Sequence, residues 1–191
     1  MSTSSTTPSS AVPSSAVPSS AVPSGTASPA AHRSDEHRPA EHWTVDVPTA
    51  ADFVAWRELF RGYCDFYGVP APEEKAELVW SWLTDPAHEL DGLLVRDTEG
   101  TPVGLAHYRP FVRPLHGAVA GFLDDLFVAP AARGTGAVDL LLARLRTVAA
   151  ERGWNTVRWI TADDNHRARA KYDQVATRTM FVTYDMPPAG A

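Results

Sequence analysis

The segment GAVAGFLDDLFVAPAARGTGAVDLLLARLRTVAAERG, residues 117–153, constrains the fold more than any other, because its hydrophobic period changes partway. Up to residue 128 it reads with the period of two of a long strand. From Gly136 onward Val138, Leu141, Leu142, Leu145, Val148 and Ala149 fall at three- and four-residue steps, one face of a helix. Arg152 ends that helix, with Gly153 in the C′ position and Trp154 behind it. TVRWIT, residues 156–161, then reads as a strand. Strand, crossover helix and strand in succession imply a right-handed unit with parallel pairing.

The flanking regions add elements around this unit. Thr49, three residues before Asp52, marks a helix start, and Phe53, Trp56, Phe60, Tyr63, Cys64 and Tyr67 then recur with helical spacing. A second helix is expected from near Pro72 to about Leu83, where TDP stops it. GLLV (92–95) and PVGLAHYRPF (102–111), separated by the turn TEGT, form a hairpin, and the strand at 117–128 follows VRPLH. DNHRARAKYDQVAT reads as a short helix and TMFVTYDM (179–186) as a final strand. The fold class is α/β: a mixed central β-sheet with flanking helices.

Residues 1–42 differ from this pattern. Three copies of SSAVP run from Ser9 to Pro23, and a proline every five residues denies both helix and ladder hydrogen bonds, so a disordered tail is expected before a domain at 43–191. No Lys or Arg precedes Arg33 and no long apolar run occurs there, which argues against a secretory signal. Nothing later is long enough to span a membrane. His32, His37 and His42 recur every five residues, a spacing that suits a solvated linker better than a metal site. No metal is expected, since Cys64 is the only cysteine. That lone thiol fits a reducing cytoplasm. A net charge of −6 without clustered Lys and Arg argues against nucleic acid as a partner.

The chemistry gathers at the glycine turn between strand and helix. A helix N-terminus carries unpaired N–H groups and partial positive charge, so such a turn can seat a phosphate. A nucleotide P-loop needs Lys and Ser/Thr after its last glycine, where this chain has Ala137 and Val138. A dinucleotide fingerprint needs a third glycine, where it has Asp139. Leu126, Phe127, Val128, Pro130, Arg133, Gly134, Thr135 and Gly136 instead spell a strand end, Pro, and Arg-Gly-x-Gly. Downstream of the next strand, Asn165, Ala168 and Tyr172 spell Asn-x-x-Ala-x-x-x-Tyr. Together, in this order, the two motifs resemble those of the GNAT superfamily of acetyl-CoA-dependent N-acetyltransferases. The resemblance covers roughly residues 49–186, and LDDLFV is similar to the LEDFFV pattern of the polyamine/histone-type branch.

The resemblance implies a role for each residue. Acetyl-CoA would pair its pantetheine arm with the backbone of Phe127 and Val128. Its pyrophosphate would lie over the N–H groups of Arg133, Gly134, Thr135, Gly136, Ala137 and Val138. Tyr172 would protonate the leaving thiolate, and Asn165 would hold the cofactor arm or an ordered water. Taken as residues alone, Tyr172 equally suits a packed helix aromatic, and Asn165 a helix N-cap. Asp124 would be the base. An amine with a pKa of about 10.4 is mostly protonated at neutral pH, and a carboxylate can attract the ammonium and relay its proton through water. Asp124 also suits a plain strand-edge carboxylate. Alternation along the strand turns Asp125 to the opposite face, in a structural hydrogen-bonding role. His107 and His116 have no spacing that recommends them. Tyr63, Asp65, Tyr67 and Glu73 form a candidate wall for a cationic acceptor, although helical spacing places most of these aromatics in the core.

The phosphate loop departs from the family pattern at three positions. Thr135 and Asp139 stand where a basic residue is frequent, and Val138 where Gly or Ala is usual. At about 7 Å and an effective dielectric constant of about 40, Asp139 would cost roughly 1 kcal/mol against a bound pyrophosphate charge. RTMF stands where SGF is frequent. Two functions follow: transfer of an acetyl group to a primary amine of a small molecule or lysine-like side chain by direct attack in a ternary complex, or a non-catalytic acyl-CoA-binding or interaction module with a degenerate loop. The resemblance further implies a homodimer, since family members often pair through their sheets and final strands.

Overall fold

The computed structural model describes residues 42–190. The tail expected over 1–42 lies outside them, His42 excepted, as do His32 and His37. In chain order the elements are β1 (Thr44–Asp46), α1 (Phe53–Phe66), α2 (Glu73–Thr84), β2 (Asp91–Arg96), β3 (Pro102–Arg113), β4 (Ala118–Val128), α3 (Ala137–Glu151), β5 (Val157–Arg158) and α4 (His166–Val175). The strands form one sheet in the order β1-β2-β3-β4-β5. The first four pair antiparallel, and β5 pairs parallel to β4. This is the expected mixed sheet around a β4-α3-β5 unit.

Each face of the sheet carries its own core. Alternation sends Leu93, Val95, Ala106, Tyr108 and Leu123 to one side, where Leu141, Leu142, Leu145 and Val148 of α3 cover them. Leu94, Leu105 and Phe127 point to the other side, against Trp56, Leu59, Phe60 and Cys64 of α1 and Ala76 of α2. The helical stripe read from Phe53 onward is therefore a core-facing stripe, stiffened by stacking of Trp56 on Phe60 at 5.0 Å. α3 ends as its sequence implies: Trp154 N–H donates to the Ala149 carbonyl and Gly153 N–H to that of Ala150, a Schellman stop.

Three expectations need correction. β1 was not legible: its three residues, TVD, pair with β2. It is tied there by Arg96, whose guanidinium lies 3.0 Å from Asp46 and 2.9 Å from Asp52. The Arg96 hydrogen bond is also the main reason the Asp52 carboxyl drops to about 2. The final strand over 179–186 is absent. Met180, Phe181, Val182, Tyr184 and Met186 are 70–95% exposed, with no strand beside them. A period of two gives strand character only where an edge offers hydrogen bonds, and β5 is two residues long rather than the six of TVRWIT. The third correction concerns the facing of the two aspartates on β4.

The register of β3 against β4 shifts between His107, opposite Asp125, and Tyr108, opposite Leu123. Asp124 is the extra residue of this β-bulge. His107 and Arg109 share a face of β3, and Asp125 reaches the first while Asp124 reaches the second. Both carboxylates thus lie on the α1 side, and strict alternation fails here. A second consequence is a divergence of strands. β4 meets β5 only at Gly121↔Val157 and Phe122↔Arg158, so beyond Phe122 its outer edge runs free toward the glycine turn.

Candidate active site

The glycine turn closes one end of a cavity of about 390 Å³ between the outer half of β4, the C-terminal end of α1, the start of α3, and α4. Gly134 and Gly136 have φ of 86° and 98°, a left-handed conformation that side-chain-bearing residues rarely adopt. The chain therefore turns abruptly into α3. None of the N–H groups of Gly134, Thr135, Gly136, Ala137, Val138 and Asp139 donates to an acceptor among the described residues; the first bond of the helix is Leu140 N–H to Gly136. A row of free donors at the positive end of a helix is an anion seat.

Most of the expected residues meet in this cavity. Phe127, Val128, Arg133, Gly134, Gly136, Ala137 and Val138 line it from the β4 side, and Asn165 and Tyr172 from α4. Thr135 does not: its hydroxyl turns back to donate to the Ala132 carbonyl at 2.8 Å. Val138 also packs against the α3-side core. Arg133 is a loop anchor, since its Nε donates to the Val128 carbonyl at 3.1 Å and its guanidinium lies over the rings of Phe66 and Phe127. Of the Val128 backbone, the carbonyl is thereby taken by the loop itself. Asn165 is the N-cap of α4, its Oδ1 accepting from Ala168 N–H at 3.3 Å, and it lines the cavity as well.

Tyr172 packs edge-on against Trp159 with ring centroids 5.3 Å apart, which fixes its ring. Burial, followed by the neighbouring Tyr67, pushes its hydroxyl up to about 12. At neutral pH it is protonated, as a tyrosine ordinarily is, which is the state a proton donor requires. From α1, Tyr63, Phe66 and Tyr67 complete the wall. Phe66 was not singled out from the sequence, and its 54% exposure follows from its position at the last turn of α1. Of the proposed acceptor wall, Asp65 is exposed, and Glu73 is held by Arg57 at 2.6 Å and Arg61 at 2.5 Å.

The two aspartates differ in state as well as in partner. Asp124 does not line the cavity. Its carboxylate pairs with Arg109, whose Nε lies 3.3 Å from Oδ1 and 3.2 Å from Oδ2, and the buried Oδ2 has no well-aligned hydrogen bond among the described residues. Burial raises its carboxyl above the usual range against the pull of Arg109. Asp125 behaves oppositely: although burial opposes its ionisation, the hydrogen bond with His107, aided by the nearby Tyr63 hydroxyl, holds its carboxyl low. Tyr63 is correspondingly pushed up, by burial and by that carboxylate.

His107 carries a role that spacing gave no hint of. It is 1% exposed, and Trp56 Nε1–H donates to its Nε2 at 2.9 Å. Indole is donor only, so Nε2 is the acceptor nitrogen and Nδ1 carries the proton, donating to Asp125 Oδ2 at 2.8 Å. The chain Trp56–His107–Asp125 thus anchors the Asp125 carboxylate from the core on the α1 side of the sheet. Among the described residues no group of three His, Cys, Asp or Glu is arranged to hold a metal, and no helix is long and apolar enough to cross a membrane.

Comparison with known proteins agrees with this geometry. The description of the acetyltransferase (GNAT) family matches residues 56–176. The D-amino-acid N-acetyltransferase HPA3 of Saccharomyces cerevisiae is 34% identical over 134 residues, covering 70% of this chain and 83% of the yeast protein. Among solved structures, a ribosomal-protein-alanine N-acetyltransferase from Brucella melitensis biovar Abortus 2308 superposes with a TM-score of 0.65 at 22% identity, over 76% of this chain and 98% of that one. AAC(6')-Iy, solved in complex with the bisubstrate analog CoA-S-monomethyl-acetylneamine, superposes with a TM-score of 0.67 at 16% identity, over 78% and 99%. At these identities the two structures share the fold.

Proposed function

The chain belongs to the GNAT family of acetyltransferases, and on that premise we propose that residues 43–191 transfer an acetyl group from acetyl-CoA to a primary amine of a small molecule or lysine-like side chain. The observation that carries this reading is that one cavity joins a row of unpartnered loop N–H groups to Tyr172 of α4. The residues fit acetyl-CoA. The N–H groups from Gly134 to Asp139 suit its pyrophosphate, and the free edge of β4 beyond Phe122 suits the amides of its pantetheine arm.

Acetyl-CoA, when bound, supplies the acetyl thioester. Tyr172 donates its hydroxyl proton to the sulfur as the C–S bond breaks. Asp124 draws the acceptor ammonium by charge and takes one of its protons through water, freeing the lone pair that forms the new C–N bond. Its raised pKa favours Asp124 over Asp125, whose carboxyl is held low and whose Oδ2 is engaged by His107. Because Asp124 lies outside the cavity lining, its proton transfer runs through water. Holding amine and thioester together adds the proximity term, up to roughly 7–11 kcal/mol of barrier. Asn165 caps α4 and so fixes Tyr172 two turns on. A cytoplasmic setting suits this chemistry and the buried free thiol of Cys64. A homodimer would give the exposed apolar stretch from Met180 to Met186 a place to pack.

The spelling LDDLFV points to a polyamine-type acceptor, whereas the yeast relative is a D-amino-acid N-acetyltransferase. A thiol-release assay with acetyl-CoA across polyamines, D- and L-amino acids, lysine peptides and aminoglycosides separates these. Saturable release with at least one primary amine is expected. No release above the hydrolysis background with every amine would contradict the reading.

A further inference from the structure

The loop has a charge arrangement that its own sequence does not reveal. Asp139, in the first turn of α3, should repel a phosphate, yet Lys171 of α4 places its Nζ 2.6 Å from Asp139 Oδ1. Both residues line the cavity. Arg167, one turn earlier on the same face of α4, lines it too and has no carboxylate partner among the described residues. Arg133, the cation that the motif itself supplies, is engaged with the Val128 carbonyl and two aromatic rings. Positive charge available to an anion in this cavity therefore comes from α4.

We propose that Lys171, seconded by Arg167, holds the phosphates of the acyl donor, and that Asp139 is the counter-ion that keeps Lys171 at the cavity mouth until a phosphate replaces it. This rests on the acetyl-CoA reading above. Lys171 and Asp139 side chains are 32% and 49% exposed, so solvent weakens their pairing and leaves it exchangeable. A pyrophosphate seated on the N–H groups of the α3 start offers Lys171 more negative charge than one carboxylate does. The same lysine then serves two states: it pairs with Asp139 in the free protein and binds the ligand in the complex. Repulsion between Asp139 and the phosphates persists after the exchange, so the aspartate opposes donor binding.

The test is calorimetric titration of CoA into the full chain and two variants. Lys171→Met is expected to raise the CoA Kd on the order of tenfold, with a shallower salt dependence, because one charge pair with the ligand is lost. Asp139→Asn is expected to lower the Kd by roughly threefold, since it removes a repulsion and releases Lys171. Opposite signs are the signature. If Asp139 and Lys171 only strapped α3 to α4, both variants would weaken CoA binding alike, and that result would overturn the proposal. So would a Kd unchanged within twofold in Lys171→Met. Failure of the unaltered chain to bind CoA would instead sink the acetyl-CoA reading itself. Thermal unfolding of each variant confirms that a folded chain is being titrated.

Discussion

Replacing Tyr172 with Phe is expected to lower kcat by about 10²–10³-fold, with the CoA Kd changed less than threefold. The substitution keeps the ring that packs on Trp159 and removes only the hydroxyl, so the fold and the cavity shape persist. The loss follows from the leaving group. A thiolate departing into a half-buried site needs a proton, and Tyr172, protonated at neutral pH, lines that cavity from α4. Steady-state kinetics at saturating acetyl-CoA give the number. A purely structural Tyr172 would leave kcat within a few-fold of the unaltered chain.

Asp124→Asn is expected to lower kcat by about 10²-fold and to raise KM for cationic amines. Asn keeps the size of the side chain and its contact with Arg109 but can neither carry charge nor accept a proton. The pH dependence carries the sign. Burial raises the Asp124 carboxyl, so the base is protonated and idle at low pH, and activity rises as pH climbs through its raised value. That acidic limb should vanish in Asp124→Asn. Asp125→Asn should act differently. It breaks the Trp56–His107–Asp125 chain of hydrogen bonds in the α1-side core, so its main effect is expected on stability. An unchanged acidic limb in Asp124→Asn would assign the base elsewhere.

What the sequence disclosed was local. The strand–glycine–helix run at 117–153 announces itself because the turn, the change of period and the Schellman stop all lie within one continuous stretch. The two motifs around it bring Gly134, Gly136, Asn165 and Tyr172 to one cavity, as their spelling implies. What stayed hidden depends on partners far along the chain. Lys171 lies 32 residues from Asp139, and His107 lies 51 from Trp56, so neither pairing leaves a periodic trace. The bulge at Asp124 is a mismatch in residue count between β3 and β4, invisible in either strand alone. Its effect is large, since it turns both aspartates to the α1 side. The expected last strand failed for the converse reason. TMFVTYDM has the alternation of a strand, but the edge beside β5 is too short to pair with it.

The most direct test of the account is calorimetric titration of acetyl-CoA into the full chain, with ATP and NAD as controls. The phosphate seat defined by Gly134 to Asp139 lacks the lysine of a nucleotide loop and the third glycine of a dinucleotide fold. Saturable one-to-one binding is therefore expected with acetyl-CoA, and none with ATP or NAD at the same concentrations. Absence of acetyl-CoA binding, or equal binding of ATP, would contradict the account.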